Sequence, residues 1–227
     1  FGASSLRSPD QALLAHHSLH EPSPPRLRTR EEALRRVRKA RPGAVETWEQ
    51  ESIRISPVEV ISSVFPQTDA GDPGRIAITY LGSENAEMLN QSDIDGNPWD
   101  GNAHYAPNNA TYHLYITYSL NALDDDPVFH TYRVTDDPVQ VGSICLNSGD
   151  CRDIGGSNRN LLDFNDLHID REGRVYVAFA DGCTGDCATN ENATAADSRD
   201  GRGSVYYLAS GPSLIEEFGL MMPLIDE

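Results

Sequence analysis

The stretch Leu167-His-Ile-Asp-Arg-Glu-Gly-Arg-Val-Tyr-Val-Ala-Phe-Ala180 holds two short apolar runs on either side of a glycine-containing turn. Apolar residues alternate over 167–170 and 174–180, which is typical of β-strands with one buried face. Arg171-Glu-Gly-Arg174 has the length and the glycine of a tight hairpin turn. The stretch therefore predicts two antiparallel strands.

Similar runs recur over the rest of the chain after about residue 56, separated by Gly, Pro, Asn and Asp. Asp72-Pro-Gly-Arg75 predicts a second hairpin turn, because it precedes another alternating run. Short strands at this spacing are typical of a sandwich, a barrel or a propeller, so the fold class is all-β. The further predicted strands cover 58–64, 75–81, 111–118, 129–135 and 204–209.

Residues 1–55 have a different composition and are predicted to form an N-terminal arm or pro-segment that is partly helical. Thr29 and Glu32 suit a helix N-terminus, and Pro42-Gly43 ends the helix that covers 29–40. We expect residues 56–218 to form the β domain and residues 219–227 to form a C-terminal tail.

The charge of the chain is unevenly distributed. Residues 1–53 carry nine basic and seven acidic residues, a net charge of +2, whereas residues 54–227 carry nine and twenty-eight, a net charge of −19. Such an acidic surface repels nucleic acid and anionic lipid, which excludes both as partners. No apolar run reaches the roughly 18 residues of a membrane-spanning helix.

The four cysteines lie in two close pairs, Cys145 with Cys151 and Cys183 with Cys187. Four cysteines allow three pairings, and the sequence does not choose among them. Two local disulfides need the least rearrangement, while a four-thiolate zinc site is the alternative. Disulfides favour an oxidising compartment, so we expect an extracellular or cell-surface protein.

Five segments share a recognisable order along the chain: Ala70-Gly-Asp-Pro-Gly-Arg75, Thr135-Asp-Asp-Pro-Val-Gln140, Ile144-Cys145, Arg159-Asn-Leu-Leu-Asp-Phe164 and the segment 170–183. Together they resemble the sialidase-like (BNR/Asp-box) β-propeller family of secreted prokaryotic proteins. The resemblance covers roughly residues 62–187. The Asp-box turn motif is altered, since Ser119-Leu-Asn121 has Asn in place of Asp.

The resemblance implies a propeller of radially arranged, four-stranded blades. Each blade needs about 40–45 residues, so the residues after 56 provide only about four blades. The sequence therefore predicts sialidase-like blades that are incomplete in this chain. A longer product, self-assembly or a partner would complete the ring.

The resemblance also implies a set of catalytic groups. Sialidase chemistry uses arginines that bind the sugar carboxylate, a tyrosine activated by a glutamate, and an acidic proton donor. Arg159 is the candidate arginine, and Asp163 and Asp166 are candidate acids or arginine partners, with turn carboxylates as the alternative. Other residues of these types are interpreted structurally: Arg75 and Arg174 as surface residues at hairpins, and Tyr112, Tyr115, Tyr118 and Tyr132 as packing.

Two further sites follow from local patterns. Asp93, Asp95, Asn97 and Asp100 resemble the opening of a calcium-binding loop, so Ca²⁺ is the one candidate cofactor; a solvated turn is the alternative. Asn109-Ala-Thr111 and Asn192-Ala-Thr194 are N-glycosylation sequons.

Two functions from different classes are consistent with these features. The first is an extracellular, sialidase-like propeller that serves as a structural module or binds glycans or other extracellular proteins. The alternative is an exo-α-sialidase or related glycoside hydrolase, part of whose active site lies outside this chain.

Overall fold

The computed structural model describes residues 52–84, 91–93, 96–144, 161, 165–198 and 201–221. These residues form antiparallel β-sheets with few helical turns, which confirms the all-β prediction. The predicted N-terminal arm up to residue 51, with its helix at 29–40, and the end of the C-terminal tail from residue 222 lie outside the described residues.

The first sheet follows the chain in the order β1-β2-β3-β4, and every neighbouring pair is antiparallel. A short fifth strand pairs with the beginning of β3. The strands are β1 (Ser62–Ala70), β2 (Ile76–Ser83), β3 (Thr111–Ser119), β4 (His130–Arg133) and β5 (Gln140–Val141).

The second sheet also follows the chain, in the antiparallel order β6-β7-β8. Its strands are β6 (Asn165–Ile169), β7 (Val175–Asp181) and β8 (Arg202–Tyr207). The remaining elements are the single-turn helix α1 (Asp186–Thr189), the 3₁₀ turns Ala103–Tyr105 and Glu216–Phe218, and the pair β9 (Gly211–Pro212) and β10 (Leu220–Met221).

The two sheets pack face to face. Leu81 and Leu114 of the first sheet share one buried core with Val177 and Phe179 of the second. This burial of apolar side chains is the main source of stability for such a fold. Within the part of the chain that the structure describes, neither sheet closes on itself.

The first strands of the two sheets, β1 and β6, lie side by side but exchange no strand-to-strand pairing. Side chains connect them instead. The Ile169 amide donates to Asp69 Oδ2 at 2.9 Å, and Asn165 Nδ2 donates to the Phe65 carbonyl at 3.4 Å.

Both predicted hairpin turns are confirmed. Gly74 and Gly173 have φ values of 84° and 83°, in the left-handed region that favours glycine. In the second turn, Asp170 Oδ1 accepts hydrogen bonds from the amides of Glu172 and Arg174, both at 2.9 Å. A Cβ at Gly173 would lie 2.0 Å from Ser213 Oγ, so a side chain does not fit there.

One segment joins the two turns. The Leu214 amide donates to the Gly173 carbonyl, and the Leu214 carbonyl accepts from the Asp72 amide, both at 2.9 Å. The equivalent turns of the two sheets are therefore held at the same edge of the molecule.

The prediction of a strand over 58–64 is correct only for its last three residues. The observed strand β1 begins at Ser62 and ends at Ala70. A bulge interrupts the pairing with β2 between Val64 and Gln67. Phe65 lies there with a φ of 55°, followed by Pro66. Proline within a run argues against a strand, and the bulge is the arrangement that accommodates it.

Candidate functional site

The face of the first sheet that points away from the second sheet carries a cluster of two tyrosines, a carboxylate and an arginine. Tyr80 on β2 is paired with Tyr115 on β3, which is paired in turn with Arg133 on β4. These three residues share one face because directly paired residues of neighbouring strands point to the same side of a sheet. Together with Glu84 they are called the tyrosine cluster below.

The two tyrosine rings are nearly parallel, with centroids 5.4 Å apart and an interplanar angle of 4°. Tyr115 packs closely over Gly82, where an added Cβ would lie 2.9 Å from two atoms of its ring and 3.1 Å from Val60 Cγ1. Gly82 is thus needed for the close approach of the Tyr115 ring. The alternation of residues along the strand does not predict this requirement.

Polar contacts complete the tyrosine cluster. The Tyr115 hydroxyl donates a short hydrogen bond to Glu84 Oε1, and Glu84 Oε2 lies 3.9 Å from Arg133 Nη1. The Arg133 and Glu84 side chains are 45% and 41% exposed, whereas Tyr115 is only 1% exposed. The tyrosine–glutamate pair that sequence reasoning did not identify is therefore present, but its phenol is covered.

Burial controls the protonation of both rings. Burial, followed by the hydrogen bond to Glu84 and the negative charge of Glu84, raises the pKa of Tyr115. Burial also raises the pKa of Tyr80. Both phenols are consequently protonated at neutral pH, and neither is a ready nucleophile.

His113, beside the cluster on β3, is also buried. Burial and the nearby Arg133 lower its pKa, so the imidazole is neutral at neutral pH. Its Nδ1 lies 3.2 Å from the Thr135 carbonyl. This contact fixes the ring to the backbone after β4 and gives it a structural role.

Residues 52–60 cover this face of the sheet. Val60 belongs to the same buried group as Tyr80 and Tyr115, and Ile55 packs against them. Thr131 Oγ1 donates to the Ile55 carbonyl at 3.0 Å. Arg54 Nη2 donates to the Pro57 and Val60 carbonyls, at 2.9 and 2.8 Å, and so holds the covering segment in shape.

A shallow groove of about 150 Å³ runs between this segment and the first two strands. It is mostly apolar and contains no charged side chain, so it offers neither a carboxylate-binding arginine nor an acid. Its lining residues are Ile55, Ser56, Ser63, Val64, Pro66, Ile78 and Tyr80.

Of the three candidate catalytic residues, the structure describes only Asp166, which lies away from the tyrosine cluster. Asp166 is exposed on the outer face of the second sheet, opposite Ala178. The tyrosine cluster lies on the outer face of the first sheet, so the two are on opposite sides of the packed pair. Arg159 and Asp163 lie outside the described residues.

The two hairpin arginines, Arg75 and Arg174, donate hydrogen bonds to backbone carbonyls. Arg75 Nη1 donates to the Ser213 carbonyl at 2.7 Å. Arg174 Nη1 donates to the carbonyls of Leu208 and Ala209, at 2.6 and 3.0 Å. The interpretation of Arg174 as a surface residue is wrong, because it is only 8% exposed.

Cys183 and Cys187 form a disulfide, as the local pairing predicts. The four-thiolate zinc alternative is therefore wrong, since these two sulfurs are bonded to each other. Both cysteines are buried together with Val141 and Ala193, which indicates a structural bond. Cys145 and Cys151 lie outside the described residues.

The segments 135–140 and 170–183 contact each other, since the Gly182 amide donates to the Val139 carbonyl at 2.8 Å. Ser198 Oγ bridges them, 3.0 Å from both Gln140 Oε1 and the Gly182 carbonyl. Burial, and less strongly the charge of Asp137, raises the pKa of Asp181 to about 6. This region is a buried polar junction between the sheets.

The turn at Ser119-Leu-Asn121 is held by its own side chains. Ser119 Oγ accepts from the Asn121 amide at 3.2 Å, and Asn121 Oδ1 accepts from the Val128 amide at 2.9 Å. These are local side-chain-to-backbone bonds of the kind that Ser and Asn make in turns.

The predicted calcium-binding residues form a hydrogen-bonded turn. Asp93 Oδ1 accepts from the Asn97 amide at 2.8 Å, and Asp100 Oδ1 accepts from the Asn102 amide at 2.9 Å. Within the residues placed by the structure, no group of three His, Cys, Asp or Glu side chains is arranged to hold a metal ion. Asp95 lies outside them, so a Ca²⁺ site stays a prediction.

The sequon asparagines Asn109 and Asn192 are both exposed. Among the helical segments that the structure describes, none has the length and apolar character that a membrane crossing requires.

A second group of rings lies on the other face of the first sheet, at its outer edge. Tyr118, at the end of β3, is flanked by His130 and Tyr132 of β4, with ring centroids 5.2 and 6.1 Å away. Tyr132 is 53% exposed, so its interpretation as a packing residue is wrong. These three residues are called the outer aromatic surface below.

Comparison with known proteins does not assign the chain to a family. No family model matches the chain, and no curated protein and no solved structure is significantly similar to it.

Proposed function

We propose that the chain is an extracellular, sialidase-like β-propeller module that binds a ligand or supports an assembly without catalysing a reaction. The observation that carries this proposal is the closure of the tyrosine cluster. Tyr115 is hydrogen-bonded, protonated and 1% exposed, so no substrate reaches the phenol that a retaining sialidase would use as its nucleophile.

Two features support the propeller as the underlying fold. Each sheet is an antiparallel meander in chain order, which is the strand order within a propeller blade. The first strands of the two meanders lie side by side, as the inner strands of adjacent blades do. Further blades come from elsewhere, and glycans, extracellular proteins or further copies of the chain are the proposed partners.

The disulfide supports the extracellular location. Cys183 and Cys187 close a buried bond of the kind that persists in oxidising compartments. The acidic charge of residues 54–227 suits a partner that is not itself anionic.

One observation favours the alternative, a glycoside hydrolase. Tyr115, Glu84 and Arg133 contact one another, and these are three residue types that a sialidase site uses. Displacement of residues 52–60 would expose Tyr115 beside the partly exposed Glu84 and Arg133. Arg159 would then be the further arginine that the site requires.

The test is hydrolysis of a fluorogenic sialoside and of a panel of other fluorogenic glycosides by the full chain. The proposal expects no turnover above the uncatalysed rate. Turnover of any substrate that is lost in Tyr115→Phe, Glu84→Gln or Arg159→Ala would overturn it in favour of the hydrolase. Tyr132→Phe is the matched control, since it removes a hydroxyl outside the tyrosine cluster.

A further inference from the structure

We propose that the outer aromatic surface binds neutral glycans, with one face of a pyranose ring stacked on Tyr132. The inference rests on the proposed function, since it names the ligand class and the place where a non-catalytic module would bind it. Its basis is the geometry, exposure and surroundings of Tyr118, His130 and Tyr132.

Tyr132 gives this surface its exposed ring face, whereas Tyr118 is partly buried against the core. The planes of Tyr118 and Tyr132 differ by only 11°, and their centroids are 6.1 Å apart. Parallel rings at this separation are strongly offset, so much of the Tyr132 ring face stays outside their mutual contact. His130, 5.2 Å from Tyr118 and tilted by 31°, extends the surface on an exposed edge strand.

The rings are also preorganised. Tyr118 and His130 are the last residue pair before the connection between β3 and β4, and both stand on paired strands. Burial and the contact with Tyr132 raise the pKa of Tyr118 to about 12, so its hydroxyl stays protonated at neutral pH. A tyrosine loses little conformational entropy when it binds a ligand, because it has only two side-chain torsions.

The surroundings select the charge of the ligand. The connection that joins the ring-bearing strands β3 and β4 carries Asp124, Asp125 and Asp126, all exposed. Carboxylates accept hydrogen bonds from sugar hydroxyl groups, but they repel carboxylated or sulfated sugars. An exposed ring face at the end of an acidic connection therefore suits an uncharged pyranose, whose C–H groups contact the ring.

A protein partner fits less well. A specific protein interface buries about 800 Å² on each side and usually excludes charge from its centre. Here the connection between the ring-bearing strands carries three exposed aspartates. Leu123 and Val128 of the same connection are exposed singly, which is common on any protein surface.

The test is isothermal titration of the full chain with neutral gluco-, galacto- and manno-oligosaccharides and with an oligogalacturonide as the anionic counterpart. We expect at least one neutral oligosaccharide to bind. Its affinity is expected to fall about tenfold or more in Tyr132→Ala and to recover in Tyr132→Trp. The oligogalacturonide is expected not to bind. Phe218→Ala is the matched control, because Phe218 is an exposed ring outside this surface.

Each other outcome has a distinct meaning. Neutral binding that Tyr132→Ala leaves unchanged overturns the surface assignment and leaves the proposed function standing. Preferential binding of the anionic oligosaccharide, or no binding of any oligosaccharide by wild-type protein, overturns the glycan proposal. Hydrolysis of the titrant overturns the non-catalytic function itself. A Tyr132-dependent complex formed with a protein, in the absence of glycan binding, overturns the ligand class.

Discussion

The two faces of β3 place tyrosines in opposite situations. Tyr115 and Tyr118 stand three positions apart on the same strand, so they point to opposite faces of the sheet. Tyr115 is stacked on Tyr80, bonded to Glu84 and covered, while Tyr118 and Tyr132 lie at an open edge. The residue type is the same, and what differs is the covering segment and the neighbouring groups.

This difference teaches that a tyrosine–glutamate–arginine contact is not by itself a catalytic site. On the closed face, residues 52–60 turn the group into part of a packed layer. At the β4 edge of the other face, Tyr132 extends beyond the core and keeps a ring face that a ligand can occupy. Exposure, more than the identity of the residues, separates the structural cluster from the candidate binding surface.

The largest expected contrast is between Tyr115→Ala and Tyr132→Ala. Truncation of the buried ring leaves a cavity and is expected to lower the free energy of unfolding by about 3–5 kcal/mol. Truncation of the exposed ring is expected to cost less than about 1 kcal/mol. Denaturant unfolding of both variants measures this, and equal losses would remove the distinction between the two faces.

The next largest effect is expected at Gly82. A methyl group in Gly82→Ala would press on the Tyr115 ring and on Val60, which is expected to cost about 1–3 kcal/mol. Gly203→Ala is the matched control, because this glycine also lies in a strand and an added Cβ there meets no atom within 4 Å. A Gly82→Ala variant as stable as the control would contradict the close packing of Tyr115 over Gly82.

A smaller effect concerns pH. Because the folded state raises the pKa of Tyr115 above its unfolded value near 10, the folded state binds the proton more tightly. Stability from this group is complete below about pH 10 and falls as the pH rises further. Tyr115→Phe is expected to flatten the alkaline loss of stability and to cost about 1 kcal/mol at pH 7. An alkaline branch unchanged from wild type, with Tyr132→Phe as control, would contradict the closed environment.

Much of the fold could be predicted from local sequence. The alternating runs at 75–81, 111–118 and 174–180 correspond to β2, β3 and β7, and both glycine turns form where Asp72-Pro-Gly and Arg171-Glu-Gly predict them. These features depend on side-chain alternation and on glycine conformation, which are local properties. The bounds of β1 could not be predicted in this way, because its bulge contains Phe65 and Pro66, which interrupt the alternation.

The candidate sites depend on contacts that are distant in sequence. Alternation puts Tyr80 and Tyr115 on one face, but nothing local shows that residues 52–60 cover that face. Arg174 looks like a hairpin surface residue until the carbonyls of Leu208 and Ala209 surround its guanidinium group. Glu84 follows a strand and carries no motif, so its bond to Tyr115 has no sequence signal.

Nitration of the native protein with tetranitromethane, followed by peptide mass mapping, tests most directly whether the two groups of tyrosines differ as described. We predict that Tyr132 is modified early, while Tyr80 and Tyr115 react only after unfolding. Modification of Tyr115 at the same rate as Tyr132 in the folded protein would contradict the closed tyrosine cluster and, with it, the proposal of a non-catalytic module.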